Sequence, residues 1–127
     1  MLLKAQGMNR KITNFRDLDV WQKGIEIVKD VYTTVGDFPR REAFGLTSQM
    51  QRSAVSIPSN IAEGFNRFHN KEYRHFLYVA LGSCAELETH VEIASELRYV
   101  TADRKKSLLE KLDHESRMLR NLVKKLD

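Results

Sequence analysis

Four histidines, one cysteine and a scatter of serines and carboxylates are the groups with which this chain of 127 residues could do chemistry. One Glu-x-x-His spacing occurs, Glu72-Tyr73-Arg74-His75. A carboxylate-bridged di-iron bundle needs two such pairs plus two more inward glutamates, so a single copy points to no metal centre. Glu72 is expected to serve a helix N-terminus and His75 to lie on the surface. His69, His90 and His114 have no partner at ligand spacing on one helix. Ser56, Ser59 and Ser83 have no recognisable histidine–carboxylate relay, so hydrolase chemistry is not indicated. Cys84, the only cysteine, excludes an internal disulfide and a cysteine-based zinc cluster. It falls on an apolar seam, reads as a small core residue rather than a nucleophile, and suits a reducing compartment. Neither Gly-x-x-x-x-Gly-Lys nor Gly-x-Gly-x-x-Gly occurs to cradle phosphates. No catalytic residue, metal site or cofactor is expected.

Two other constellations carry more information. Gln49, Arg52, Ser56, Asn60, Glu63 and Arg67 make a polar stripe at helical spacing, flanked by the small residues Ser53, Ala54, Ser59, Ala62 and Gly64. A stripe so regular suggests contact with a neighbouring helix. Arg52 is expected to form a buried or half-buried ion pair with Glu86, with Gln49, Ser56, Asn60 and Glu63 in the same network. Its expected role is to fix helix register or a subunit contact. The second constellation is basic. Lys106, Arg117, Arg120 and Lys124 fall within about a 60° sector of one helix, interrupted by Asp113, which is spaced to pair with Arg117. With Arg10 and Lys11 they are the candidate nucleic-acid-binding residues. No aromatic side chain is interleaved with the helical set, so contact with phosphates or RNA shape is expected there rather than base stacking.

Charge distribution agrees with that choice. The net charge is +4. Residues 1–16 hold Lys4, Arg10, Lys11 and Arg16 and no acid, and residues 101–127 hold eight basic and five acidic groups. The rest of the chain is close to balanced or slightly acidic. A basic arm and a basic last segment are compatible with a polyanionic partner.

The elements that position these groups are helical. Residues 1–15 show no periodicity and are expected to form a flexible arm, leaving 16–127 as one domain. Leu18, Trp21, Ile25, Val28, Tyr32 and Val35 recur at spacings of three and four, with Val20, Gly24, Ile27 and Val31 as a second stripe. An apolar arc this wide suggests a helix covered from two directions, by its own bundle and by another subunit. Gly36 and Phe38-Pro39 stop it. A second helix is expected from about Phe44 to Phe68, with Leu46, Met50, Ser53, Ala54, Ile57, Ile61, Gly64 and Phe68 on one side. Pro58 lies within it and is expected to kink or break it. Asn70 opens a third helix whose seam is Tyr73, Phe76, Ala80, Cys84, Leu87, Val91 and Ala94. After a turn at 98–101, Thr101 caps a fourth with Leu108, Leu112, Leu119, Leu122 and Leu126.

Four amphipathic helices joined by short links make an all-α, antiparallel up-down-up-down bundle the expected fold. The composition fits: 42% apolar, 30% charged, two prolines and six glycines. That excludes a many-stranded sandwich and a disordered chain. No apolar run approaches the roughly 20 residues that span a bilayer, and the start lacks a signal-peptide core. No membrane partner is expected, and a cytoplasmic location is.

Three stretches resemble a known family. Phe15-Arg16-Asp17-Leu18-Asp19-Val20-Trp21-Gln22-Lys23 resembles the opening of the bacterial four-helix-bundle proteins encoded in intervening sequences of 23S ribosomal RNA genes. Gln49-Met50-Gln51-Arg52-Ser53-Ala54-Val55-Ser56-Ile57-Pro58-Ser59-Asn60-Ile61-Ala62-Glu63-Gly64 is similar to that family's most distinctive motif. Gly82-Ser83-Cys84-Ala85-Glu86-Leu87-Glu88-Thr89 is similar to its third-helix motif. The departure is Gln51, where a basic residue is expected. The resemblance covers residues 15 to 126. It implies a homopentamer without enzymatic activity, associated with ribosomal or other structured RNA. It also implies similarity to the pentameric accessory variability proteins of diversity-generating retroelements, which bind nucleic acid and a reverse transcriptase. The alternative expectation is a protein–protein adaptor that binds no nucleic acid.

Overall fold

A computed structural model describes residues 12–126. Among them are four α-helices and no strand: α1 (Asp19–Val35), α2 (Leu46–Phe65), α3 (Asn70–Glu96) and α4 (Ala102–Lys124). Each packs on its neighbours in sequence, α2 against α3 most extensively, and α1 closes the ring against α4. The architecture is the four-helix bundle that the periodicity demands. Packing begins ahead of α1. Ile12 is buried, the Asn14 side chain accepts the Arg16 amide at 2.9 Å to cap a 3₁₀ turn, and the Phe15 ring lies 5.4 Å from that of Trp21.

The two stripes of α1 are buried to different depths, except at the ends, where Leu18 and Val35 of the first stripe are both buried. Val20, Gly24, Ile27 and Val31 face the core, whereas Trp21, Ile25 and Val28 are half-buried and Tyr32 is 49% exposed. The smaller side chains face inward because α1 lies close to its neighbours. A Cβ at Gly24 would stand 3.3 Å from Pro58 Cβ on α2 and 3.3 Å from Glu115 Oε2 on α4.

Helix α2 is shorter than expected. Phe44 lies before it and is 99% exposed, and Phe68 lies beyond it at 87%. Phe65, not Phe68, continues the buried face. The helix runs unbroken through Pro58, so of the two expected outcomes, a kink or a break, the break does not occur. A proline there removes one N–H from the helical ladder, leaving the Ala54 carbonyl without its i+4 donor. Ile57, Pro58 and Ile61 are all buried, and packing of this face in the core holds the helix together. Near its end Gly64 allows close approach to α3: a Cβ there would sit 2.7 Å from Phe76 Cβ.

The turns are specified locally. Glu42 accepts the Leu46 amide at 3.0 Å and the Tyr99 hydroxyl at 2.9 Å, tying the α1–α2 connection to the α3–α4 turn. Those two donors hold the Glu42 carboxyl below its ordinary range. Arg98, at φ 63°, ends α3 in the left-handed position. The Tyr99 amide then reaches the Ala94 carbonyl at 2.8 Å and the Arg98 amide reaches Ser95 at 3.0 Å, a Schellman closure that usually selects glycine.

Candidate nucleic-acid interface and interior polar groups

Helix α4 buries Leu108, Leu112, Leu119, Leu122 and Val123, with Leu126 just beyond it. Thr101 caps it by accepting the Arg104 amide at 3.1 Å. With the leucine stripe inward, Lys106, Arg117, Arg120 and Lys124 must face out, and all four are exposed. Arg117 meets Asp113 at 3.1 Å and Lys106 meets Glu110 at 4.0 Å, both within solvent. Such exposed pairs add little stability, so they leave the cations available to a polyanion. No described acid lies within ion-pair distance of Arg120 or Lys124. Lys111, on the α1 side, differs: it bonds Asp30 and lies 3.1 Å from Glu26. The Asp30 bond raises the Lys111 pKa, and the Lys111 bond lowers that of Glu26. Lys111 is therefore a tie between helices. Arg10 and Lys11 lie outside the described residues.

The α2 stripe is brought together only in part. Ser56 Oγ and Ser83 Oγ are 2.7 Å apart, and Asn60 Nδ2 donates to Ser56 Oγ at 2.9 Å and to the Ser56 carbonyl at 2.8 Å. Gln49 and Arg52 are exposed and outside this cluster. The expected Arg52–Glu86 pair is not formed among the described residues. Glu86 is itself solvent-facing, and its nearest basic partner is His90 at 4.0 Å. Glu63 instead accepts from Arg67, in the turn just past its own helix, at 2.9 Å. The reason is rotational. Ser53 and Ser56 of α2 meet His90 and Ser83 of α3, which leaves the longer Arg52 and Glu86 turned to solvent.

No constellation for catalysis emerges among the described residues. His90 Nδ1 lies 3.2 Å from Ser53 Oγ, which puts a serine, a histidine and Glu86 in one row. Ser53 is 2% exposed, and its hydroxyl also lies 3.2 Å from the Met50 carbonyl, so no substrate reaches it. Burial lowers the His90 pKa while Glu86 opposes it. Burial pushes the Cys84 thiol up to about 12, the behaviour of a core residue rather than a nucleophile. No group of three or more His, Cys, Asp or Glu side chains could hold a metal among the described residues.

Two features went unseen in the sequence. Glu115 on α4 is fully buried, with neither carboxyl oxygen partnered, and burial raises its pKa to about 8 against a weaker opposite pull from Lys23. Its signal was the place missing from the leucine seam between 112 and 119. The second is the corner between α2 and α3, where exposed Phe68 stands among Arg67, His69 and Lys71. The mixed basic and aromatic run from Arg67 to Phe76 was its signal.

Fold and surface together define a small helical bundle with an apolar interior and a cationic outer strip. Within that class its membership is specific: the family model for the 23S rRNA-intervening sequence protein matches residues 16–121, and the chain belongs to that family. A solved structure, a protein of unknown function from the S23 ribosomal protein family of Bacteroides thetaiotaomicron, is similar in fold. It shares 24% identity with a TM-score of 0.75, over 83% of this chain and 95% of that one. No curated protein matches. No helix among the described residues is long and apolar enough to cross a membrane.

Proposed function

We propose that this protein is a non-enzymatic, homopentameric cytoplasmic scaffold that binds structured RNA through the outward face of α4. The observation that carries this reading is the polarity of the bundle's surface. Among the described residues, the large apolar side chains that remain exposed, including Tyr32, Val55, Tyr78, Val79, Ile93 and Leu97, all lie on α1, α2 and α3 or their connections, and none on α4. Burial of apolar surface drives association, so these flanks favour contacts between copies. Association through them leaves α4 on the outside with its cations toward solvent. Five copies follow from the family resemblance. A polyanion meeting Lys106, Arg117, Arg120 and Lys124 releases counterions, which makes affinity fall steeply with salt.

Light scattering tests the assembly: five chains of 14.8 kDa give about 74 kDa, and a monomer contradicts it. Filter binding with a structured RNA at several salt concentrations tests the ligand. Replacing the four α4 cations with glutamine is expected to flatten the salt dependence by about 0.7–0.9 in log–log slope for each phosphate no longer neutralised. Absence of binding at low salt, in a protein of the expected mass, favours the adaptor reading.

A further inference from the structure

The corner between α2 and α3 exposes a phenylalanine that the bundle does not use. Phe68 is 87% exposed, and its only described ring neighbour is His69, at 5.2 Å. The neighbour of Phe68 in sequence, Arg67, lines an open groove of about 550 Å³ together with Lys71, Glu72, His75 and Phe76. The Arg67 guanidinium stacks over the Phe76 ring at 4.9 Å and also bonds Glu63 at 2.9 Å. Its plane is therefore fixed before any ligand arrives. Glu72 is the one carboxylate in the groove lining.

Cations lead from this corner to the α4 strip. Arg74, one turn into α3, bonds the Leu126 carbonyl just past the end of α4. Arg120 and Lys124 are exposed on that last stretch of α4. The Arg74–Leu126 bond thus brings the end of α4 to the first turn of α3, whose Lys71 shares the groove with Arg67 and Phe76. Flat π-faces beside a cationic track are what single-stranded nucleic acid recognises: the phosphates follow the cations and an unstacked base lies on the ring. A duplex offers no free base face, and a purely apolar partner gains nothing from the cations.

We infer that the α2–α3 corner is a base-stacking site for an unpaired nucleotide, with Phe68 as the platform and Lys71 contacting the flanking phosphate. This rests on the RNA-binding reading above and adds to it a preference for loops over paired stems. Because Phe68 sits in a turn and covers no core residue, Phe68→Ala is expected to fold normally.

Fluorescence anisotropy with two RNAs tests it: a stem capped by a single-stranded uridine loop, and the same stem as a blunt duplex. Phe68→Ala is expected to weaken loop binding by about 5- to 150-fold, the range for removing one stacked base. Duplex affinity and the salt slope are expected to stay at wild-type values, and Phe68→Trp to retain loop binding. Lys71→Gln is expected to lower the salt slope by about 0.7 for the single-stranded segment. Equal loop affinity in wild type and Phe68→Ala, while the α4 substitutions still weaken binding, overturns this inference alone. A wild-type protein that binds neither RNA overturns the RNA reading with it. A fall in assembly mass for Phe68→Ala with unchanged RNA affinity assigns the ring to an interface between copies and also overturns the site.

Discussion

The seam between α2 and α3 and the interior facing α4 both hold polar groups, and they treat them in opposite ways. At the seam, Ser56, Ser83 and Asn60 satisfy one another within 2.9 Å of oxygen or nitrogen. In the interior Glu115 has no partner for either oxygen and lies against Gly24. The hydroxyl of Tyr73, whose ring meets Phe65 of α2 edge-on, is also buried without a partner, and burial raises its pKa. Short side chains meeting across a helix contact fix its register at small desolvation cost, because each loses water and gains a bond at once. A carboxyl in the core gains no such bond and is accommodated by keeping its proton. One region specifies how helices fit, and the other stores a dependence on solution conditions.

The largest test of that contrast is pH. The folded pKa of Glu115, about 8, lies above the ordinary 4.5. Between those values the folded state holds a proton that the unfolded chain has released, so stability falls as pH rises. The loss begins near the unfolded value and is complete above about pH 8. At about 1.4 kcal/mol per pKa unit, it amounts to at most roughly 5 kcal/mol. Urea denaturation at pH 5, 7 and 9 should show this decline in wild type and a flatter profile in Glu115→Gln. Parallel profiles would break the contrast by showing that Glu115 titrates like a solvated acid.

A smaller effect sharpens the geometry. Gly24→Ala is expected to cost about 1–2 kcal/mol, the strain of added volume exceeding alanine's better helix propensity. In combination with Glu115→Ala, which opens the space, the two changes should be non-additive by about 0.5–3 kcal/mol in a double-mutant cycle. Strict additivity would separate the glycine from the carboxyl. The smallest effect belongs to the seam. Ser83→Ala removes one bond from a group that keeps Asn60, so about 0.5–1.5 kcal/mol is expected, independent of pH between 5 and 9. A seam substitution as damaging as one in the interior would erase the distinction.

How much of this was legible depends on which interaction decides. The bundle was readable because Leu108, Leu112, Leu119 and Leu122 on α4 and Met50, Ala54, Ile57 and Ile61 on α2 repeat at the helical period and are all buried. That signal is local and strong. Which stripe of α1 turns inward was not legible, because size is a poor guide to depth: Gly24 and Val20 pack where helices approach closely, while Trp21 fits only at the edge. The Arg52–Glu86 pair failed on rotation, since a turn of a few tens of degrees between two helices decides which side chains meet, and no single helix encodes it. Glu115 escaped because a charged residue on a polar helix looks solvated until all four helices are in place. The outward set Lys106, Arg117, Arg120 and Lys124 followed directly from the leucine stripe, which fixes the opposite face.

Cys84 sits at the centre of α3 with no exposed surface and is the chain's only sulfhydryl. A thiol so enclosed reacts with an alkylating reagent only when the surrounding helices part. The molecule therefore contains a single native reporter whose modification rate times its own excursions from the packed state, and any ligand that clamps the helices together will slow that clock.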